Sequence, residues 1–197
     1  LCHRVGVVKL TDKIALMTGG TRGFGRATAL RLAENGADVV LTYRTGKAEA
    51  EEVVAEIQAK GRKAVALPLD TGKAATFPAF AETLAATLEE NWNRKSFDFL
   101  LNNAGMDVRG LFAEVTEEQF DDLSNVHFKG VYFLTQRLLP LLADGGRIIN
   151  TSTGLARFTM PGYSAYAAMK GAIEVFTRYL AKELGGQKLD IPPALVG

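Results

Sequence analysis

The feature that most constrains the fold is an alternation. Short apolar runs at 14–17, 39–41, 64–67, 97–101 and 147–151 are separated by longer segments of helical pattern. Runs of this length and apolarity read as strands buried on both faces, and helices lying between them place those strands in a parallel sheet. Helices are expected over 26–35, 49–59, 78–92, 116–134 and 164–184. Pro78 suits a first helical turn, and Thr116 with Gln119 has the spacing of a capping box. Asn35-Gly36, Gly61 and Gly185-Gly186 supply stops, and Pro140 lies near the end of the long helix. The predicted architecture is therefore α/β, a doubly wound parallel sheet of Rossmann type, whose ligands sit at the carboxyl ends of the strands.

The first strand runs into Thr18-Gly19-Gly20-Thr21-Arg22-Gly23-Phe24-Gly25 and then a helix. A glycine turn opening a helix aims backbone N–H groups and the positive end of the helix dipole at one point, where an anion such as a pyrophosphate can sit. Gly19 suits the positive φ of a tight turn; Gly23 and Gly25 leave room for a phosphate and for close helix–strand packing. The spacing Gly-x-x-x-Gly-x-Gly is equally compatible, on these residues alone, with a turn that binds nothing. The other strands end in Thr42-Tyr43-Arg44, Asp70, Asn102-Asn103-Ala104-Gly105 and Ser152-Thr153. All these ends are short, polar or glycine-bearing, which lets a ligand approach the backbone.

Composition narrows the alternatives. The 197 residues carry 23 basic and 22 acidic side chains, so no charge excess points to nucleic acid or an anionic membrane. One domain over 1–197 is expected, with irregular ends at about 1–9 and 186–197. No apolar run approaches the ~18 residues that span a bilayer, and Leu1 to Gly6 lacks the apolar block of a signal peptide, so a cytoplasmic protein is expected. Cys2 has no partner for an internal disulfide, and His3 with His127 makes no clustered ligand set, so no metal is expected.

The chemical centre is Tyr166-Ala167-Ala168-Met169-Lys170. Residues four apart share a helix face, so a phenol and an ammonium can enter one pocket, and the cation lowers the phenol pKa toward neutrality. That pair can act as a general acid or base, or it can be an amphipathic tyrosine beside a snorkelling lysine. Thr-Gly-x-x-x-Gly-x-Gly after the first strand, Asn-Asn-Ala-Gly after the fourth, hydroxyls after the fifth and Tyr-x-x-x-Lys on the next helix together resemble the short-chain dehydrogenase/reductase family, collinearly from about Leu10 to Gly185.

The resemblance implies a nicotinamide cofactor, with Gly19, Thr21, Arg22, Gly23, Phe24 and Gly25 around its phosphates, Asp70 at the adenine and Asn103, Ala104 and Gly105 at the adjoining ribose. It makes Tyr166 the proton donor or acceptor, and gives Lys170 the nicotinamide ribose and the lowering of the tyrosine pKa. Thr153 stands where the family has its helper serine; Ser152, one residue away on a strand, should face elsewhere. At the second strand end, where NAD-preferring members have an acid, this chain has Tyr43, followed by Arg44. Arg44 and Arg22 can meet a 2′-phosphate with no carboxylate to repel it, so NADP(H) is expected; the alternative is two solvated arginines.

Two departures are visible. Where the family has a relay asparagine, alignment on Gly130 gives His127, on the stripe Phe120, Leu123, His127, Val131, Leu134 that should face inward; Asn125 should point away from it. His127 reads either as a modified proton relay or as a core histidine in a weakened enzyme. The tail after Gly186 does not match the family's Pro-Gly turn, so the C-terminal strands are expected to be missing or altered, or a longer protein to be represented in part. The function expected is hydride transfer between NADP(H) and a carbonyl or secondary alcohol; the alternative is a dinucleotide-binding protein with little catalysis, a sensor or interaction partner. Met106, Phe158, Met160, Pro161 and Tyr163 are candidates for an apolar substrate wall. Extra apolar residues on the two long helices, such as Val175, Phe176 and Tyr179, together with the resemblance, imply a homodimer or homotetramer.

Overall fold

The computed structural model describes residues 9–187 and 189–196. The expectations attached to Cys2, His3 and residues 1–8 lie outside them. The elements are β1 (Ile14–Met17), α1 (Gly23–Glu34), β2 (Asp38–Tyr43), α2 (Lys47–Ala59), β3 (Ala64–Pro68), α3 (Phe77–Trp92) and β4 (Phe97–Asn102). There follow α4 (Glu117–Ser124), a π-helical turn (Asn125–Lys129), α5 (Gly130–Leu138), β5 (Leu142–Ser152), α6 (Ser164–Leu184) and β6 (Leu195–Val196).

The strands form one parallel sheet in the order β3-β2-β1-β4-β5-β6. Chain direction across the sheet reverses between β1 and β4, and that divide opens a crevice above the strand ends. Successive side chains of a strand face opposite layers. Ile14 and Leu16 accordingly pack with Leu84, Leu88, Leu134 and Leu138, whereas Ala15 and Met17 pack on the other side with Leu101. Val39 and Leu41 meet the small residues Ala29, Ala33 and Ala50, which bring α1 and α2 close to the sheet.

Several polar groups inside this core are paired with one another. Asp98 accepts from the Ile14 N–H at 2.9 Å and from Arg94 at 2.8 Å, fastening the start of β4 to that of β1. Deeper in, Asn102 Nδ2 donates to Thr135 Oγ1 at 3.0 Å and to Asn150 Oδ1 at 2.8 Å, and Asn150 Nδ2 donates to Thr177 Oγ1 at 2.9 Å. This chain of bonds ties α5, β4, β5 and α6 into one unit, and each bond left unmade there would cost about 1–3 kcal/mol. It fixes the helix that carries Tyr166 and Lys170.

The predicted strands and most predicted helices are present, with three corrections. The long helix is not continuous: α4 passes through the π turn before α5, and the helix runs on to Leu138. A Cβ on Gly130 would overlap the carbonyl oxygen of Thr71, so the helix is pressed onto the loop after β3 at this point. The wider turn rotates α4 relative to α5. Leu123, His127 and Leu134 are buried as expected, but Phe120 is 44% exposed. Second, β5 begins at Leu142, with a register shift where it meets the start of β4. Third, the tail does add to the sheet. Asp190 N–H donates to Gly146 O at 2.9 Å, Ile148 N–H donates to Asp190 O at 3.2 Å, and β6 pairs with Thr151 and Ser152.

Candidate active site

The crevice is built from the ends of β1, β2, β3 and β4. Gly19 has φ 68°, and a Cβ there would come within 2.9 Å of the Ala104 Cα. The turn after β1 and the turn after β4 therefore touch through their main chains. Thr18 holds them together: its Oγ1 accepts from the N–H groups of Asn103 at 2.9 Å and Ala104 at 3.0 Å, and the Asn103 amide donates to the carbonyls of Thr18 and Gly19. A Cβ on Gly25 would overlap the Gly19 carbonyl, so this glycine serves helix–strand packing as expected. Gly23, with φ 53°, faces open space.

These turns floor a cavity of about 400 Å³ lined by Gly19, Thr21, Arg22, Phe24, Gly25, Arg44, Asp70, Asn103, Ala104 and Gly105. Apart from Gly23, every residue proposed from the sequence for the phosphates, adenine and first ribose lines it. The amino end of α1 points into this space with no side chain capping it and no acid in its first turn. Arg22 and Arg44 are exposed there, and neither has a salt-bridge partner among the described residues. Uncapped amides, an open glycine and two free guanidinium groups fit a polyanionic dinucleotide.

One expectation at this end needs correction. A carboxylate is present: Glu49, in the first turn of α2, lines the same cavity. Gly46, at φ 82°, turns the chain so sharply that the Glu49 carboxylate folds back over it. Asp70 is partly occupied, since its Oδ1 accepts from the Gly72 N–H at 2.9 Å.

Tyr166 and Lys170 lie outside the lining of this cavity. Tyr166 is half-buried on the first turn of α6, and Lys170 follows on the same face at 5% exposure. Lys170 Nζ donates to the Thr151 carbonyl at 2.8 Å and stands 6.0 Å from the Tyr166 ring centroid. Burial alone pulls the lysine down from 10.5 to about 8. The phenol, expected to be lowered by that cation, is instead raised: burial is the main cause, the nearby Asp107 carboxylate and Tyr163 add to it, and the Thr153 hydroxyl opposes it. The ammonium is spent on a backbone carbonyl in this geometry. Thr153 is buried beside Tyr166, whereas Ser152 faces away and donates to Glu174 Oε1 at 2.9 Å, as strand alternation requires.

His127 is 2% exposed and pressed into the same site. Its ring meets that of Tyr166 edge-on, with centroids 5.1 Å apart at 85°. Its Nε2 lies 2.8 Å from the Met106 carbonyl oxygen and 3.2 Å from the Met106 nitrogen. Burial, then Lys170, holds it neutral, down from 6.5 to about 4.

An apolar cleft of about 310 Å³ is lined by Leu111, Phe112, Leu155, Met160, Pro161 and Tyr163, whose ring meets that of Tyr166 at 6.2 Å between centroids. Met160, Pro161 and Tyr163 thus stand where the sequence suggested. Phe158 instead covers Gly154, and Met106 is engaged by His127. Leu111, Phe112 and Asp107 went unremarked in the sequence, and Thr18 was named there without a role of its own. Thr18 had a signal, its place at the head of the glycine turn; Asp107 had none, being one charge among many. Among the described residues no cluster of ligating side chains could hold a metal, and no helix is long and apolar enough to cross a membrane.

Comparison with known proteins agrees with this arrangement. The short chain dehydrogenase family matches residues 13–193. The chain is 37% identical over 185 residues to the short chain dehydrogenase/reductase nsrJ of Aspergillus novofumigatus, covering 93% of this chain and 67% of that protein. It is 37% identical over 178 residues to the tetrahydroxynaphthalene reductase PfmaG of Pestalotiopsis fici, covering 90% of this chain and 62% of that one. It thus spans about two thirds of the length of these relatives. Among solved structures, the landomycin C-6 ketoreductase LanV with bound NADP and rabelomycin superposes with a TM-score of 0.88 at 38% identity, over 92% of this chain and 74% of LanV. Sheet order, crevice and matched residues together make this chain a member of the short-chain dehydrogenase/reductase family.

Proposed function

We propose that this protein is an NADP(H)-dependent reductase that transfers hydride to the carbonyl of a fused-ring aromatic ketone, with Tyr166 supplying the proton. The observation that carries the proposal is the contact of the Tyr166 ring with that of Tyr163, which walls an apolar cleft together with Phe112, Met160 and Pro161. The names of PfmaG and LanV support the substrate class.

Arg22 and Arg44 would hold a 2′-phosphate, the amino end of α1 the pyrophosphate, and Lys170 the ribose next to the nicotinamide. When bound, the cofactor supplies the hydride. Tyr166 then donates its phenolic proton to the developing alkoxide, Thr153 orients that oxygen by a hydrogen bond, and the Lys170 ammonium stabilises the phenolate left behind. In the reverse direction the same groups take a proton from an alcohol. We place this activity in the cytoplasm.

The exposed Tyr132, Val175 and Tyr179, with Phe128 and Phe176, form an apolar cleft across α5 and α6, which we assign to a homodimer contact. Light scattering that finds a monomer would remove that assignment.

A second reading, a cofactor-binding protein with little turnover, is favoured by the raised Tyr166 phenol. One experiment separates the two: NADPH oxidation with 2-tetralone and simple ketones, run beside Tyr166→Phe. Turnover that the phenylalanine variant abolishes supports the reductase. NADPH binding without turnover on any ketone supports the second reading.

A further inference from the structure

The placing of His127 goes beyond what either reading requires. The π turn swings this side chain inward, and three neighbours trap its ring. Gly105 lies beneath it so closely that a Cβ there would come within 2.9 Å of the ring Cε1. Met106 offers both its carbonyl and its N–H to Nε2. Tyr166 takes the ring contact. A single ring nitrogen cannot donate and accept at once, and the shorter contact, 2.8 Å to the carbonyl, assigns the proton to Nε2. That leaves Nδ1 bare, buried and without a hydrogen-bond partner among the described residues.

We infer that His127 is a positioning residue for Tyr166: its ring, set edge-on against the tyrosine, fixes where the phenol sits, while its Nε2–H holds the Met106 carbonyl on the loop after β4. A core histidine that merely filled space would be expected to pair both nitrogens or to be replaced by an apolar side chain. Here one nitrogen is left unpaired while the other holds the loop that follows β4. The ring therefore couples two parts of the site, the main chain at Gly105 and Met106 on one side and Tyr166 on the other. A polar group in place of the ring would solvate the phenolate and pull the tyrosine down. The charged and titratable groups around the phenol are Asp107 on the loop, Tyr163 ahead of α6 and Lys170 on α6.

This inference rests on the reductase reading only for its kinetic arm. The test compares His127→Phe, which keeps a ring against Tyr166 but cannot bond Met106, with His127→Gln, which can reach Met106 but brings no ring. Tyr166 ionisation is read directly as tyrosinate ultraviolet absorbance, subtracting a Tyr166→Phe partner in each background, and NADPH affinity is measured alongside. The expected result is a lower Tyr166 pKa in the glutamine variant and an almost unchanged one in the phenylalanine variant. The kcat of the glutamine variant should fall roughly tenfold to a hundredfold, as for a reacting group displaced by about 1 Å, with KM changing little. Wild-type ionisation in both variants overturns the inference, as does a loss confined to thermal stability or NADPH affinity. If no ketone is reduced by the wild type while the ionisation results hold, the reductase reading fails and this one stands. If His127→Gln does not fold, an altered ionisation in a folded His127→Phe overturns the claim that the ring sets the phenol, and an unchanged one supports it.

Discussion

Replacing Lys170 with methionine should abolish turnover and make the protein more stable. The ammonium is 5% exposed, and burial alone pulls its pKa from 10.5 to about 8. At 1.36 kcal/mol per unit, that shift corresponds to about 3 kcal/mol of destabilisation while the lysine is charged in both states. Methionine has a similar length and no charge, so it relieves this cost. It also strands the Thr151 carbonyl, now 2.8 Å from Nζ, at a cost of about 1–2 kcal/mol. The net gain at pH 7 is about 1–2 kcal/mol, or a Tm rise of roughly 2–8 °C for a domain of this size. The sign with pH follows from the folded pKa lying below the unfolded one. Between about 8 and 10.5 the unfolded chain binds more protons at this site, so wild-type stability rises with pH across that window, and the advantage of the variant shrinks. Calorimetry or urea unfolding of both proteins at pH 7 and pH 10 measures the difference, in which titrations common to both cancel. A variant less stable than wild type at pH 7, or a difference that stays constant between pH 8 and 10.5, would refute the reasoning.

Two further expectations concern the crevice and the helix behind it. Arg44→Ala should weaken NADPH roughly 10- to 100-fold, the loss of one charge-assisted contact, and leave NADH unchanged, whereas Glu49→Gln should tighten NADPH; fluorescence titration of both cofactors reads each effect. Gly130→Ala should lower stability by about 1–3 kcal/mol, because the added Cβ overlaps the Thr71 main chain and not a movable side chain; a urea midpoint close to wild type would show that the π turn can relax.

Most of the scaffold could be read in the sequence because it depends on local patterns. Apolar runs such as Ile14–Met17 need only their own composition to declare a buried strand, and the Thr116 capping box forms as its spacing requires. The crevice was legible for the same reason: glycine turns and Tyr-x-x-x-Lys mark chemistry by type and spacing. Features that depend on one segment meeting another were not. Nothing local says that Gly130 will press on Thr71, so the helix was read as continuous and the rotation that exposes Phe120 was missed. Glu49 lies five residues beyond Arg44 and returns to the cavity only through the left-handed turn at Gly46.

The tyrosine pKa shows where local reasoning meets its limit. Spacing alone places Lys170 beside Tyr166 and suggests a lowered phenol, yet the geometry sends the ammonium to the Thr151 carbonyl and leaves the phenol raised. A raised phenol stays protonated but gives up its proton less readily than a free tyrosine, which is why it favours the reading with little turnover. Burial sets this pKa first, and Thr153, Asp107 and Tyr163, which come from separate stretches of the chain, adjust it. The Tyr-x-x-x-Lys spacing therefore marks the tyrosine that the proposed reduction would use as its acid, and the tertiary contacts around it determine how readily it gives up its proton.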